Sequence, residues 1–206
     1  MKKRLLSLVL ALVLCLGLTV PALAEEASLQ EVIPCELWNV RPFSEGLARV
    51  QLGDEQFGFI DKTGTVVLPG PYKGAWDFSE GLATVSLDGK KYGYIDQTGK
   101  EVIPYNYDDA WEFSEGLAQV KKNGKWGYID RTGEEVIPCQ YQDSAAFSEG
   151  FAQVKKNGKW GFIDQTGKEI VPCKYTATRD FSDGFAMVEM DGKRGYIDNA
   201  GKEVIP

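Results

Sequence analysis

The chain has 206 residues, with 30 Asp plus Glu, 23 Lys plus Arg and no His. Its formal net charge of -7 argues against a nucleic-acid-binding protein, because such proteins carry basic patches that neutralise phosphates. Without His, Ser-His and Cys-His catalytic pairs and HExxH zinc sites are excluded.

The first 24 residues have the pattern of a secretory signal peptide. A basic start, Lys2 to Arg4, precedes an apolar run over residues 5–20, and small residues around Ala24 offer a cleavage site before Glu25. The apolar run is short for a membrane span, which needs about 20 residues. The pattern predicts an exported protein, secreted or associated with the cell envelope, with no membrane span after cleavage. An uncleaved N-terminal anchor is the alternative.

After a lead-in over residues 25–42, which contains a partial repeat, one unit is copied five times. The motif Phe-Ser-(Glu/Asp)-Gly recurs at spacings of 35, 35, 34 and 34 residues, and Gly-aromatic-Ile-Asp and a terminal Pro follow in every copy. The predicted repeats are residues 43–77, 78–112, 113–146, 147–180 and 181–206. Several Gly and a Pro in each copy break helices, so we predict an all-β repeat.

The third repeat shows the expected strands most clearly. Residues 116–122 and 125–130 flank Asn123-Gly124, the strongest short hairpin signal, and a turn with a Gly separates them from a short third strand ending at Pro138. We predict a three-stranded meander that gains its core by stacking on its neighbours. Gly127 faces away from the rings beside it, so we expect a neighbouring repeat to pack against it.

The run from Lys125 to Pro138, Lys-Trp-Gly-Tyr-Ile-Asp-Arg-Thr-Gly-Glu-Glu-Val-Ile-Pro, resembles the bacterial WG repeat, also called the KWG repeat. The resemblance extends over residues 31–206. It implies β-rich tandem repeats, frequent in secreted or envelope-associated bacterial proteins, without a general enzymatic activity and without a catalytic residue to transfer. The first and last repeats depart from the motif, with Phe57 and Arg194 at the Trp position.

Two arrangements of five repeats are open: a twisted, solenoid-like array and a closed, propeller-like ring. The short strand that ends each repeat occurs six times, first at residues 31–34 and last at residues 203–206, whereas the other strands occur five times. Ring closure by strand exchange would need equal numbers. The sequence therefore favours the open array, with the extra strand covering the edge of the first repeat.

Two acidic series recur with the repeat. The first follows the middle strand, and we expect it to cap a turn instead of binding calcium, because each turn offers a single carboxylate. Its members are Asp61, Asp96, Asp130, Asp164 and Asp198. The second precedes a Gly, and we expect it to hold the turn before the first strand. Its members are Glu45, Glu80, Glu115, Glu149 and Asp183. Glycoside hydrolysis needs one asymmetric carboxyl pair, so we predict neither a metal, a cofactor nor a catalytic site.

Cys35, Cys139 and Cys173 each follow the Pro that ends a strand. An exported protein can oxidise Cys139 with Cys173, because they lie in adjacent repeats, if their Cα atoms approach within about 7 Å. The alternative is that the cysteines are unpaired, small apolar packing residues. The sequence favours this alternative, because Gly70 and Tyr105 occupy the same position in other repeats.

The position two residues before the motif Phe varies most among the copies. It holds Arg41, Trp76, Trp111, Ala145 and Arg179. Variation on a constant scaffold is typical of a recognition surface, and two Trp in neighbouring repeats can form an aromatic strip. Packing between repeats is the alternative role for these rings.

The sequence thus predicts a non-catalytic, exported repeat protein that acts as a protein-interaction scaffold. The alternative is a module that binds a glycan or the cell wall through Trp76 and Trp111. The expected partner is an unidentified protein or a cell-surface glycan, with Arg41 and Arg179 on the same surface.

Overall fold

A computed structural model of the chain describes residues 39–205. The predicted signal peptide, most of the lead-in and Cys35 lie outside the described residues. Within them the protein is all-β, with nineteen strands in five separate sheets. The strands are β1 (Ala48–Gly53), β2 (Gln56–Ile60), β3 (Val66–Tyr72), β4 (Gly74–Ser79), β5 (Leu82–Ser86), β6 (Tyr92–Asp96), β7 (Glu101–Tyr107), β8 (Asp109–Ser114), β9 (Leu117–Lys122), β10 (Lys125–Asp130), β11 (Glu135–Tyr141), β12 (Asp143–Ser144), β13 (Phe151–Lys156), β14 (Lys159–Asp164), β15 (Glu169–Tyr175), β16 (Ala177–Thr178), β17 (Phe185–Met190), β18 (Lys193–Asp198) and β19 (Glu203–Ile205).

Each sheet is an antiparallel meander in which sequential strands are neighbours. The first sheet, β1-β2-β3, has the three predicted strands, whereas the other four sheets have a fourth. The added strand lies in the link before the motif Phe, where β4 pairs with β5 and β8 with β9. It shortens to two residues in β12 and β16.

The predicted Asn-Gly hairpin is confirmed between β9 and β10. Asn123 and Gly124 both have positive φ angles, 53° and 75°, and Lys122 pairs with Lys125 across the turn. Positive φ at both central residues is the geometry of a type I′ turn, whose twist matches that of the strands it joins.

The middle strand has a glycine because the sheet leaves no space for a side chain at this position. Between β10 and β11, Trp126 pairs with Tyr141 and Tyr128 with Ile137, so β11 bulges over Gly127. A Cβ on Gly127 would lie 2.5 Å from the carbonyl oxygen of Ile137 and 2.7 Å from the backbone nitrogen of Cys139. The expectation that a neighbouring repeat packs against this glycine is therefore wrong, because β11 of its own sheet occupies that space.

Hydrophobic cores form between neighbouring sheets. One core joins Tyr94 and Ile103 of the second repeat to Phe113, Val120 and Ile129 of the third. The motif Phe packs edge-on against the middle-strand aromatic of the preceding repeat at all four junctions. The centroid distances are 4.9 Å for Phe59–Phe78, 5.0 Å for Tyr94–Phe113, 4.9 Å for Tyr128–Phe147 and 4.9 Å for Phe162–Phe181. The core thus depends on stacking, as predicted.

The Ser-Glu pair of the motif bonds each repeat to the next. Ser114 Oγ donates a hydrogen bond to the Phe147 carbonyl at 2.9 Å, and a Glu115 carboxylate oxygen accepts one from the Gly150 N–H at 2.9 Å. The same two bonds occur at every junction. The serine bonds are Ser44 to Phe78 at 2.6 Å, Ser79 to Phe113 at 2.7 Å and Ser148 to Phe181 at 3.1 Å. The Gly N–H bonds are Gly81 to Glu45 at 2.9 Å, Gly116 to Glu80 at 3.0 Å and Gly184 to Glu149 at 2.8 Å.

The sequence predicts that these acids hold their own turn. In the structure, however, their carboxylates bond the following repeat. Glu115 does sit in the turn, at a φ of 55° that non-glycine residues seldom adopt. Its carboxylate, however, reaches the following repeat. Glu115 therefore has a left-handed backbone conformation and also a side chain that bonds the next sheet.

Within residues 39–205 no sheet closes on itself, and no hydrogen bond joins the first sheet to the fifth. The described repeats therefore form the open array that the sequence favours. Over the same residues, no helix has the length and apolarity needed to cross a bilayer.

Candidate functional site

The residues that vary among the repeats occupy the same position in each repeat, and in the second and third sheets that position is a β-bulge. In β4, Trp76 and Asp77 stand opposite the single residue Thr84, and in β8, Trp111 and Glu112 are similarly placed opposite Gln119. A bulge of two residues against one turns side chains away from the regular pleat and is frequent beside binding sites.

The other repeats have the same backbone arrangement at this position. The N–H groups of Arg41, Ala145 and Arg179 donate to the carbonyls of Arg49 in β1, Gln153 in β13 and Met187 in β17 at 3.0, 3.0 and 2.9 Å. We call this set the bulge row. Its residues are Arg41, Pro42, Trp76, Asp77, Trp111, Glu112, Ala145, Ala146, Arg179 and Asp180.

The two predicted tryptophans have different environments. Trp76 is half-buried and packs edge-on against Tyr92, with ring centroids 5.5 Å apart. Trp111 is 48% exposed, and its carbonyl accepts a 2.8 Å hydrogen bond from the buried Tyr94 hydroxyl. The structure therefore presents one exposed indole on a fixed backbone in place of the expected strip of two.

A recess of about 520 Å³ lies beside Trp111. Its wall includes Glu112, the largely buried amide of Gln119, and the hydroxyl-bearing residues Ser79 and Ser144. Burial raises the pKa of the Glu112 carboxyl, and the nearby charge of Asp77 raises it further. The recess thus combines an aromatic plane, one carboxyl and several hydrogen-bonding groups.

Arginines occupy the bulge row beside the first sheet. Arg41 Nε lies 3.9 Å from Oδ2 of Asp77, which belongs to β4 of the second sheet. Arg49, opposite Arg41 on β1, donates from Nη1 to the Ala75 carbonyl at 2.9 Å, and its guanidinium lies 4.9 Å from the centre of the Phe57 ring. Burial lowers the pKa of Arg49, while the Asp77 charge opposes that shift. Asp77 Oδ1 and Arg49 Nε are both buried, and neither has a hydrogen-bond partner among residues 39–205.

The far end of the bulge row is also polar. Gln153 Nε2 donates to Asp180 Oδ1, and Thr178 Oγ1 donates to Gln153 Oε1, both at 2.5 Å. Arg179 of the same repeat is exposed, as its predicted role requires.

The sequence pattern did not predict a role for the residues that stand opposite each bulge. They are Arg49, Thr84, Gln119, Gln153 and Met187, and they vary almost as much as the bulge row itself. A comparison of the copies at that column would have detected them.

Within the part of the chain that the structure describes, Cys139 and Cys173 are not bonded to each other or to another cysteine, so the predicted alternative of a disulfide between them is not present. Each Sγ–H donates within its own repeat, Cys139 to the Val120 carbonyl at 3.7 Å and Cys173 to the Val154 carbonyl at 3.6 Å. Burial raises the pKa of the Cys139 thiol to about 11 and also raises that of Cys173. Both cysteines serve as small packing residues, Cys139 in β11 and Cys173 in β15.

The turn aspartates cap their turns, as predicted. Asp130 Oδ1 accepts hydrogen bonds from the Thr132 N–H at 2.9 Å, the Thr132 hydroxyl at 2.7 Å and the Glu134 N–H at 2.9 Å. The hydroxyl bond is the main cause of the lowered pKa of Asp130. Among residues 39–205, no group of three acidic or thiol side chains is placed to hold a metal ion.

A family model described as "WG containing repeat" matches the chain five times, at residues 28–55, 57–90, 92–126, 126–160 and 160–193. No curated protein matches the sequence at a significant level. Among solved structures, the computationally designed Ika8 protein is similar to this chain, with a TM-score of 0.55, 16% identity and coverage of 85% of this chain and 64% of Ika8.

A eukaryotic initiation factor structure is similar with a TM-score of 0.53, 13% identity and coverage of 81% of this chain and 54% of that protein. The chain therefore spans less than two thirds of either structure. At these identities the likeness concerns the β-sheet repeat fold alone.

Proposed function

Because the chain belongs to the WG containing repeat family, we propose that it is a non-catalytic scaffold that binds a partner protein through the bulge row. One observation carries the proposal: constant residues build the sheets and junctions, whereas the residues that differ among copies converge on one position of the fold. Rigid frames that carry variable surface residues are typical of recognition proteins.

Trp111 is the proposed anchor of the contact. Aromatic side chains that sit in partly desolvated surroundings contribute most to protein interfaces, and surrounding polar groups then fix the orientation of the partner. Trp111 has this setting, with an exposed indole, a fixed backbone and the recess lined by Glu112 and Gln119. Glu112 gives the site a preference for a basic or hydrogen-bond-donating group of the partner.

A non-catalytic role agrees with the chemistry of the recess. Its wall contains a single carboxyl, Glu112, with Gln119 and serine hydroxyls around it. Glycosidic hydrolysis normally uses two carboxyls on opposite sides of the bond. The proposal also places the protein outside the cytoplasm, which rests on the signal-peptide pattern of residues 1–24 alone.

Glycan binding at Trp111 is a second candidate function. A sugar ring can stack on an exposed indole while Glu112 and Gln119 accept or donate hydrogen bonds to its hydroxyls. The half-buried position of Trp76 against Tyr92 removes the second ring on which an extended aromatic strip would depend. We therefore rank protein binding first.

The test measures retention of culture proteins and, separately, of purified cell-wall polysaccharide by the immobilised protein. We expect Trp111→Ala and Glu112→Gln to abolish retention of a protein, whereas Leu87→Ala, a control at an exposed apolar residue outside the bulge row, leaves it intact. Retention of polysaccharide that Trp111→Ala abolishes would favour the glycan candidate instead. Equal retention by wild type and both bulge-row variants would refute the role of this surface.

A further inference from the structure

The bulge row contains three carboxyl side chains, and two of them have a side-chain partner within the protein. Arg41 Nε lies 3.9 Å from Asp77 Oδ2. Gln153 Nε2 donates a hydrogen bond to Asp180 Oδ1. In the part of the chain that the structure describes, no side chain donates a hydrogen bond to the third carboxyl, Glu112, and no ion pair includes it. Glu112 therefore lacks the kind of partner that the other two carboxyls have.

The first junction shows how this fold accommodates a guanidinium group beside a bulge-row carboxyl. Arg49 Nη1 donates to a backbone carbonyl of β4 at 2.9 Å, and its guanidinium lies 4.9 Å from the centre of the Phe57 ring. The nearby charge of Asp77 counteracts the lowering of the Arg49 pKa by burial. One repeat later, Thr84 stands in the place of Arg49, so the chain supplies no arginine from this position to Glu112.

The recess beside Trp111 presents mainly hydrogen-bond acceptors. The hydroxyls of Ser79 and Ser114 already donate to carbonyls of motif Phe residues, at 2.7 and 2.9 Å, so only their lone pairs remain available. Glu112 adds a carboxylate to the same wall. A guanidinium group has five N–H donors and no acceptor, whereas a hydroxyl both donates and accepts. The wall therefore matches a guanidinium better than it matches a sugar hydroxyl.

The Gln119 amide is an unused group in the wall of this recess. Gln119 is only 7% exposed, and it lines the recess beside Glu112. Its side chain makes no hydrogen bond with any other residue in the range 39–205. Burial of an amide without a partner is unfavourable, so a ligand that donates to the amide oxygen removes this cost.

The surroundings of Glu112 also favour a cation from outside the chain. Burial is the main cause of the raised pKa of Glu112, and the charge of Asp77 adds to it. The charges of Arg41 and Arg49 oppose this rise but do not cancel it. The ionised form of Glu112 is therefore poorly stabilised in the free protein, and a bound cation would stabilise it.

We propose that the recess binds the side chain of an arginine from the partner protein, an inference that rests on the proposed function. The guanidinium stacks on the exposed ring of Trp111 and donates to the Glu112 carboxylate and to Gln119 Oε1. A lysine ammonium has no planar face to stack on the ring and no fork of parallel donors, so it fits these three groups less well.

The test uses the purified protein and three peptides of the sequence acetyl-Gly-Gly-X-Gly-Gly-amide, in which X is arginine, lysine or citrulline. Citrulline has the shape of arginine but no charge. Each titration follows the side-chain N–H signals of Trp111 and Gln119 in proton–nitrogen correlation spectra. We expect the arginine peptide to shift both signals with a Kd of about 1–10 mM, and the other two peptides to bind about tenfold more weakly or less.

Three variants locate the binding site. Glu112→Gln and Trp111→Ala should each weaken binding of the arginine peptide by about tenfold or more, because each removes one of the groups that hold the guanidinium. Glu134→Gln is the matched control, since it removes the same charge at an exposed residue outside the bulge row and should bind like wild type. The backbone amide signals in the same spectra show whether each variant is folded.

Three outcomes would overturn the proposal: equal affinity for the arginine and citrulline peptides, unchanged affinity in Glu112→Gln, or no shift at about 50 mM arginine peptide. If culture proteins are still retained through Trp111 in that case, the protein-binding function stands and only the arginine assignment fails. Conversely, an arginine-specific shift without retention of any culture protein would support the arginine site and count against the proposed function.

Discussion

Gly127→Ala tests whether the backbone of β11 excludes a side chain at this position. The added Cβ would lie 2.5 Å from the Ile137 carbonyl oxygen, 2.7 Å from the Cys139 nitrogen and 2.8 Å from the Cys139 Cα. All three are backbone atoms of β11, so no side chain can rotate away, and β11 must shift or lose its pairing with β10. Overpacking of this kind costs typically 1–3 kcal/mol, and backbone contacts place this case near the top, about 3 kcal/mol.

The assays are urea unfolding and thermal unfolding, each followed by circular dichroism and by tryptophan fluorescence. For a protein of this size, about 3 kcal/mol corresponds to a fall in Tm of about 6–12 °C. Gly53→Ala is the matched control, because the same added methyl group meets no atom within 4 Å there and Gly53 does not have a positive φ. We expect the control to change stability by less than about 0.5 kcal/mol.

Two results would refute the reasoning. If Gly127→Ala is as stable as wild type, β11 does not occupy the space over the glycine. If Gly53→Ala is destabilised equally, the effect comes from the loss of glycine in a strand and not from the crossing of β11.

Three further predictions concern the junctions, the turns and the thiols. Ser114→Ala should destabilise the array by about 1 kcal/mol because the Phe147 carbonyl loses its donor, whereas Ser182→Ala should be neutral because the Ser182 side chain makes no hydrogen bond within residues 39–205; urea unfolding measures both. The folded pKa of Asp130 lies below its ordinary 3.8, so its stabilisation is complete above that pH and is lost as the pH falls through the lower folded value. Thr132→Val removes the main cause of that shift, so the stability gap between wild type and variant should narrow in acid unfolding from pH 5 to about pH 2; a constant gap would contradict the assignment. Because burial raises the pKa of Cys139 to about 11, its alkylation by iodoacetamide at pH 8 should be much slower than in urea, as mass spectrometry of the labelled peptide can show.

Local chemistry made part of the fold predictable. Asn123-Gly124 specified a hairpin, and Asp130 with its following Thr specified a capped turn, because in both cases the interacting groups lie within a few residues. The fourth strand was not predicted, because β4 and β8 are interrupted by bulges and show no regular alternation of apolar and polar residues. Their pairing becomes evident only when the neighbouring strand is in place.

Long-range contacts account for the rest of the differences. Glu115 was correctly placed in a turn, yet its partner Gly150 lies 35 residues away and no local pattern identifies it. The variation at Trp76 and Trp111 identified the candidate surface. It did not reveal that Tyr92 packs against the Trp76 ring, whereas the Trp111 ring is exposed. That distinction depends on three-dimensional packing.

The hydrogen bonds of the Ser-Glu pair always run from one repeat to the following one. A gene that duplicates one whole repeat therefore gains a complete junction with it, since the new copy brings a Ser-Glu pair that bonds its successor, together with the Phe carbonyl and Gly N–H that bond the pair of its predecessor. Copy number can change by recombination without compensating mutations, while substitutions at the two bulge residues diversify each copy independently. The directionality of the junction thus makes the number of repeats an evolutionary variable that is separate from the identity of the residues in the bulge row.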